Sequence, residues 1–417
     1  MMLPRRYTRL SRLPRTLLFD LLPALLLLWS IVEVISIRRA LQASDAAASQ
    51  AAHAFQPGEK VFISSIHLHD EPLLRAHWNT AVFELAQALG PANVFVSIYE
   101  SNSYDDTKGA LRELDDNLRR IGARTNIVLD TATREQELRR DDAADGWVRT
   151  PEGKREVRRI SYLARLRNRT LQPLADLEKQ GFRFDKVVFL NDVVFTAHDV
   201  LKLLATHSGH YAAACALDFK APPTFYDTFA LRDLAGHPPL HPTFPYFAAP
   251  ASRRALKAGA PAPVRSCWNG LLAMDAAPFY TKLAPLRFRA LPDALASTHL
   301  EASECCLVHA DNPYSGAHGV FVNPAVRVAY NKVAYDGVNP APGGGGAWVS
   351  LWRLWQGVWA NRGMRVLGLL DRTRAHAEMV VGERVRAWEK RMRKSEPGAF
   401  CSVDEMQVLR MDGWAHV

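Results

Sequence analysis

Apolar residues fall along this chain in three patterns, and each predicts a different element. The first is one apolar run near the N-terminus, Leu17 to Ile37, about the ~20 residues a helix needs to cross a bilayer. Asp20 and Glu33 sit near its ends and Pro23 lies in an early turn. The second is a series of short apolar runs of strand length, over residues 60–67, 93–99, 125–129, 185–195, 211–217 and 323–330. The third is helical periodicity between those runs, over residues 73–89, 106–121, 158–174 and 199–208. Strands alternating with helices of crossover length predict an α/β fold built on a mainly parallel sheet.

The intervening stretches complete a domain plan. Residues 1–16 form a short tail, 17–37 a transmembrane signal anchor, and 38–58, rich in Ala, Ser and Gln, a stem. Residues 59–335 form the globular domain, Gly343 to Gly346 a hinge, and 347–417 a helical extension. In that extension Trp348, Trp352, Trp355 and Trp359 recur at helical spacing, a stripe for docking on the body or for a membrane interface. Residues 131–157 are charged and carry Gly146, Pro151 and Gly153, which predicts a solvated loop.

Charge changes the picture once it is located. The net +9 is carried by the two ends, +5 over residues 1–40 and +4 over 347–417, so the body between them is neutral. That distribution argues against a nucleic-acid groove and for a membrane surface. Five Arg precede the apolar run and only Arg38 and Arg39 follow it. The positive-inside rule then predicts a single-pass type II protein with its body in a lumen or outside the cell. The five cysteines, Cys215, Cys267, Cys305, Cys306 and Cys401, match no zinc spacing. One or two disulfides are compatible with an oxidising lumen, with the pairing left open.

The chemistry centres on the run Asp185 to Phe195, four consecutive apolar residues followed by Asn191 and Asp192. Strand carboxyl ends are where open α/β sheets bind ligands, and a carboxylate there is costly unless it is paired or holds a metal. An apolar strand followed by a short acidic step is how nucleotide-sugar glycosyltransferases of the A-type, Rossmann-like fold present a divalent ion. Asn191 and Asp192 stand where those enzymes have Asp-x-Asp, leaving one hard anionic ligand and an amide oxygen, a set suited to Mn²⁺ or Mg²⁺. A purely structural Asp192 that begins a turn is the competing reading. Further candidates lie on both sides. Arg158, Tyr162, Arg165 and Arg169 share one helix face. Phe225 to Asp233 sets aromatics beside Asp227, Arg232 and Asp233, a composition suited to sugars. A Trp268-Asn269-Gly270 turn follows, then an acidic cluster with Glu301, Glu304, His309 and Asp311.

Taken together, the segments 187–195 (VVFLNDVVF), 215–219 (CALDF), 225–233 (FYDTFALRD), 267–271 (CWNGL), 303–311 (SECCLVHAD) and 320–331 (VFVNPAVRVAYN) resemble the cryptococcal capsule-associated mannosyltransferases of fungi, glycosyltransferase family 69. The resemblance runs over residues 60–332 in one unbroken order. It implies an α-1,3-mannosyltransferase using GDP-mannose, a divalent metal and a glycan acceptor, retaining at the anomeric carbon. It also implies a type II protein of the Golgi or another secretory-pathway membrane. On this reading Asp192 and Asn191 hold the metal, and Arg165, Arg169, Asp218, Trp268 and Asn269 lie on the donor side. Glu304, Asp227, Arg232 and Asp233 orient the acceptor. Two rivals of other classes are a non-catalytic membrane scaffold that keeps the fold, motivated by the missing first Asp, and a glycosidase with paired carboxylates.

Overall fold

The computed structural model describes residues 15–53, 58–139, 145–340, 347–368 and 372–417, without the side chains of 15–20 and 372–375. The Gly343 to Gly346 hinge and most of the 1–16 tail lie outside the described residues.

Helix α1, Arg15–His53, is long and apolar enough to cross a membrane. It does not stop where the apolar run stops. Ser30, Val34, Ile37 and Leu41 are buried at spacings of three and four residues, the stripe of a helix packed on a body. Residues 38–53, expected as a stem, are therefore helix rather than linker. Alanine-rich composition suits a flexible spacer, but alanine is also the strongest helix former. Contact with the body decides the outcome: Asp45 meets Arg327 at 2.7 Å.

The body is built on one ten-stranded sheet. In chain order its elements are β1 (Val61–His67), α2 (Asn79–Leu89), β2 (Val94–Glu100), α3 (Thr107–Arg120) and β3 (Arg124–Leu129). A small hairpin of β4 (Trp147–Arg149) and β5 (Arg155–Val157) then leads to α4 (Arg159–Thr170). Next come β6 (Lys186–Leu190), α5 (Ala197–Leu204), β7 (Ala213–Ala221), β8 (Thr224–Phe225), β9 (Arg232–Asp233) and α6 (Pro250–Lys257). They are followed by β10 (Ala262–Ser266), β11 (Leu271–Asp275), α7 (Glu304–Asp311) and β12 (Val320–Ala329). The tail adds α8 (Leu351–Gly368), α9 (Arg372–Met392), β13 (Gln407–Arg410) and β14 (Gly413–His416).

Sheet order is β3-β2-β1-β6-β11-β7-β12-β10-β9, with β8 on β7. The first four strands are parallel, as the alternation predicts. β11 then inserts antiparallel between β6 and β7, so the sheet is mixed rather than mainly parallel. This is the α/β layout expected of an A-type glycosyltransferase. All five residues of β6 are buried, which accounts for the unbroken apolarity of Val187 to Leu190; Lys186 at its start donates to Gly209 O at 2.6 Å. One face of the sheet packs under α2, α3 and α5; α4, α6, α8 and the buried stripe of α1 join the core of the other.

The charged stretch 131–157 is only partly loop, since it holds the β4–β5 hairpin. The C-terminal extension departs further from expectation. Its helices are present, but it ends in the β13–β14 hairpin, which returns to α4. Val408 bridges Arg158, and Leu409 packs with Tyr99, Tyr162 and Leu166. Disulfides Cys215–Cys267 and Cys306–Cys401 close the two pairings left open, the second tying this tail to α7; Cys305 stays free.

Candidate active site

β6 ends at the floor of a cleft, and the next two residues are held differently. Asn191 is fixed by two indoles: Trp78 Nε1 donates to its carbonyl at 3.0 Å and Trp268 Nε1 to its Oδ1 at 2.9 Å. Its N–H donates to Gly270 O at 3.0 Å. One lone pair of Oδ1 is left for a ligand. The Asp192 side chain opens to the cleft, yet desolvation by the surrounding walls, helped by the nearby charge of Asp70, pushes its carboxyl up to about 6. An anion raised in this way gains from a bound cation.

Asp70 comes from the loop after β1 and was not a sequence candidate. His67 Nδ1 is 2.8 Å from its Oδ2, and the backbone N–H of Asp70 donates to Thr107. His67, Asp70, Asn191 and Asp192 line a compartment of about 370 Å³ with Arg134, Arg159, Tyr162, Arg167 and Trp414. Arg134 is buried against the Tyr162 ring, and its Nη1 has no hydrogen-bond partner among the described residues. An unpaired guanidinium N–H in a buried position is costly, and an anion bound beside it would relieve that cost.

A second compartment, about 470 Å³, adjoins the first and shares Arg159, Leu163, Arg167, Asn191 and Trp414 with it. The Trp-Asn-Gly turn builds its back wall. Asn269 and Gly270 both have positive φ, at 55° and 75°. A Cβ on Gly270 would lie 2.9 Å from Val328, so the turn needs glycine. Asn269 Nδ2 donates to Asp227 O at 3.2 Å. Asp218, buried behind, accepts the Asp227 N–H and the Tyr330 hydroxyl, both at 3.1 Å. Burial, then the charge of Asp227, pushes the Asp218 carboxyl up to about 7; burial also raises Asp227. Burial and each other's charge make ionisation of both carboxyls together unfavourable.

Glu304 lies in this compartment at the first turn of α7, buried, and accepts Arg167 Nε at 3.0 Å. The Arg167 guanidinium lies 4.2 Å from the Trp268 ring. Arg167 thus stands with Arg159 at the junction of both compartments, and the pair corrects the choice of Arg165 and Arg169. Those two line a different pocket, Arg165 paired with Glu137 and Arg169 with Asp130 and Tyr99. Two residues along a helix is a rotation of about 200°, so the sequence pattern selected the opposite face.

Arg232 and Asp233 are corrections too. Arg232 is buried and donates to the carbonyls of Phe229, Leu231, Phe400 and Cys401; burial pulls it down to about 10. Asp233 accepts the backbone N–H groups of Ala235, His237 and Ala249. Both organise loops and neither lines the cleft. Glu301 is engaged by buried Arg158, at 2.6 Å. The β13–β14 hairpin supplies residues that no sequence motif indicated: Trp414 faces both compartments, with the Arg159 guanidinium 4.5 Å from its ring.

Two ligand sets test the fit to a metal. Cys215, Cys267 and His309 lie close together, but their two sulfurs are bonded to each other. Asp192, by contrast, is a hard oxygen donor open to the cleft with a second carboxylate nearby, a fit to Mn²⁺ or Mg²⁺.

Among solved structures the chain is similar to mannosyltransferase PcManGT from Pyrobaculum calidifontis in complex with GDP-Man and Mn²⁺, at 12% identity over 89% of this chain and 96% of that one, TM-score 0.34. It is also similar to S. aureus TarS, at 10% identity over 80% and 82% of the chains, TM-score 0.37. Alpha-1,3-mannosyltransferase CMT1 of Cryptococcus neoformans var. neoformans is 30% identical over 273 residues, covering 60% of this chain and 54% of that protein. The match thus spans about half the length of that relative. The family model described as cryptococcal mannosyltransferase 1 matches residues 60–311, from β1 through α7 and so through Asp192, Asp227 and Glu304; the chain belongs to this family.

Proposed function

We propose that this protein transfers mannose from GDP-mannose to a hydroxyl of a glycan, retaining the anomeric configuration, at a secretory-pathway membrane where α1 anchors it. The observation that carries the reading is the pair of adjoining compartments, one acidic at its floor and arginine-walled, the other carboxyl-walled, whose Asp192, Asp227 and Glu304 fall in the family-matched stretch while Tyr330 and the C-terminal hairpin complete the walls from outside it. Asp192, with the remaining lone pair of Asn191, would hold Mn²⁺, which supplies charge neutralisation to a leaving diphosphate. Arg134, Arg159 and Arg167 bind the phosphates and add fixed positive potential. Trp414, exposed at the cleft, offers a flat apolar face to a sugar ring, while buried Trp268 backs Arg167 and Asn191. Asp227 and Glu304 orient the acceptor hydroxyl. Its oxygen bonds to the anomeric carbon as the bond to phosphate breaks; the electron pair leaves with the diphosphate, and the hydroxyl proton passes to the leaving phosphate oxygen.

The test is mannosyl transfer by the full chain in detergent, with GDP-mannose offered against GDP-glucose and UDP-glucose, and with Mn²⁺ or chelator. Transfer from GDP-mannose that needs the metal supports the proposal. Donor left intact under all conditions, by protein whose disulfides are formed, refutes catalysis and favours the scaffold.

A further inference from the structure

The tryptophan stripe on α8 is divided between two roles. Its inner face is locked to the body: Leu354, Gly357, Val358 and Asn361 are buried, and a Cβ on Gly357 would lie 2.0 Å from Phe244 O. The outer face carries Trp352, Gln356, Trp359, Val366 and Leu367, spaced to lie on one side of the helix. Trp352 is 61% exposed, Val366 64% and Leu367 60%. Gln356 and Arg353, which donates to it at 3.5 Å, edge this face, and the rest of it is apolar, an unusual patch for a soluble surface.

This face is continuous with the exposed apolar part of α1. Trp359 Nε1 donates to Ser30 Oγ at 2.7 Å, and the Arg362 guanidinium lies between the Trp29 and Trp359 rings, at 4.3 and 4.8 Å. Glu33 pairs with Arg362 and with Lys257 of α6. Indoles interleaved with ion-paired charges are the chemistry of a bilayer interface. They fix where α1 leaves the membrane, at Ser30 to Glu33 rather than beyond Ile37. From Leu17 to Val32 the helix rises only about 24 Å, against a hydrocarbon thickness of ~30 Å. The shortfall of ~6 Å falls within the ~5–10 Å to which an interfacial helix sinks into a leaflet.

We propose that the outer face of α8 is embedded in the leaflet from which α1 emerges, so that the body is seated on the membrane at a fixed height instead of hanging from a stem. This rests on the reading of α1 as an anchor. It binds lipid through apolar burial and indole positioning, with no requirement for a particular headgroup.

The test places single nitroxide-labelled cysteines in the full chain, reconstituted into phosphatidylcholine vesicles: Leu25→Cys on α1, Trp352→Cys, Gln356→Cys and Leu367→Cys on α8, and Leu283→Cys, at a residue 99% exposed on the body. Collision with oxygen is compared with collision with a water-soluble nickel chelate. Oxygen-dominated collision at Leu25 and at the α8 sites, with nickel-dominated collision at Leu283, is expected. Nickel dominance at the α8 sites with oxygen dominance at Leu25 overturns the proposal and leaves the anchor standing. Protection of the α8 sites from both reagents overturns it in favour of a protein partner, and nickel dominance at Leu25 overturns the anchor and the proposal together.

Discussion

Replacing Asp192 by Asn separates a metal ligand from a structural carboxylate by the sign of its effect. Its carboxyl is held up to about 6, against an ordinary value of ~4. Between those values the folded chain binds more protons than the unfolded chain, so stability falls as pH rises through the window, and above about 6 the full cost is present. The gap corresponds to ~3 kcal/mol if fully felt. Asp192 opens to the cleft, so solvent screening reduces this to on the order of 1 kcal/mol. In a chain of 417 residues that is a Tm change of only about 1 °C. Asp192→Asn in chelator near pH ~7.5 is therefore expected to melt about 1 °C above the natural protein, and the difference is expected to vanish near pH ~4. Mn²⁺ at ~100 times its Kd stabilises the natural protein by ~2.7 kcal/mol and the variant hardly at all, so the order of melting reverses. Mannosyl transfer by the variant falls by ~10²-fold or more. Thermal melts across pH, with chelator and with Mn²⁺, read all three effects. An Asn variant that melts lower than the natural protein in chelator, or that keeps the Mn²⁺ shift, refutes the assignment.

Other consequences concern neighbouring groups. Asp70→Asn removes a charge that disfavours ionisation of Asp192, so the acid limb of the pH–rate profile, expected near about 6, should move to lower pH; an unmoved limb detaches it from Asp192. Arg167→Ala is expected to lower transfer by ~10²-fold or more, whereas Arg165→Ala and Arg169→Ala stay within ~2-fold; equal losses at all three would show a general electrostatic effect. Glu301→Ala leaves Arg158 buried with only Asp293 as its carboxylate partner, and chemical denaturation should show a loss of ~3–5 kcal/mol. Trp414→Ala should raise the KM for donor and acceptor together, since the ring faces both compartments; an effect on neither would leave the hairpin a purely structural clasp.

What the sequence determined by itself was everything carried by local periodicity or by a continuous motif. The strand ending at Asn191 and Asp192, the parallel half of the sheet, the long apolar helix and the Trp-Asn-Gly turn are of this kind, because burial on both faces and backbone conformation select residue types within a few positions. Tertiary structure decided which way equivalent residues point. Arg165, Arg167 and Arg169 are chemically alike, and only the packing of α4 on β1 and β2 turns Arg167 to Glu304 and the other two away. Arg232 and Asp233 look like site residues in a motif and prove to be loop anchors, because a charged group and a backbone cluster can satisfy each other with no ligand present. Asp70 and Trp414 lie 122 residues before and 222 residues after Asp192 in sequence, and they share its cleft because the parallel pairing of β1 with β6 and the return of the C-terminal hairpin to α4 bring them there. The course of α1 past its apolar run was decided in the same way: hydropathy sees only the composition of a helix, while the ion pairs and indoles that meet Ser30 and Glu33 are brought by other elements.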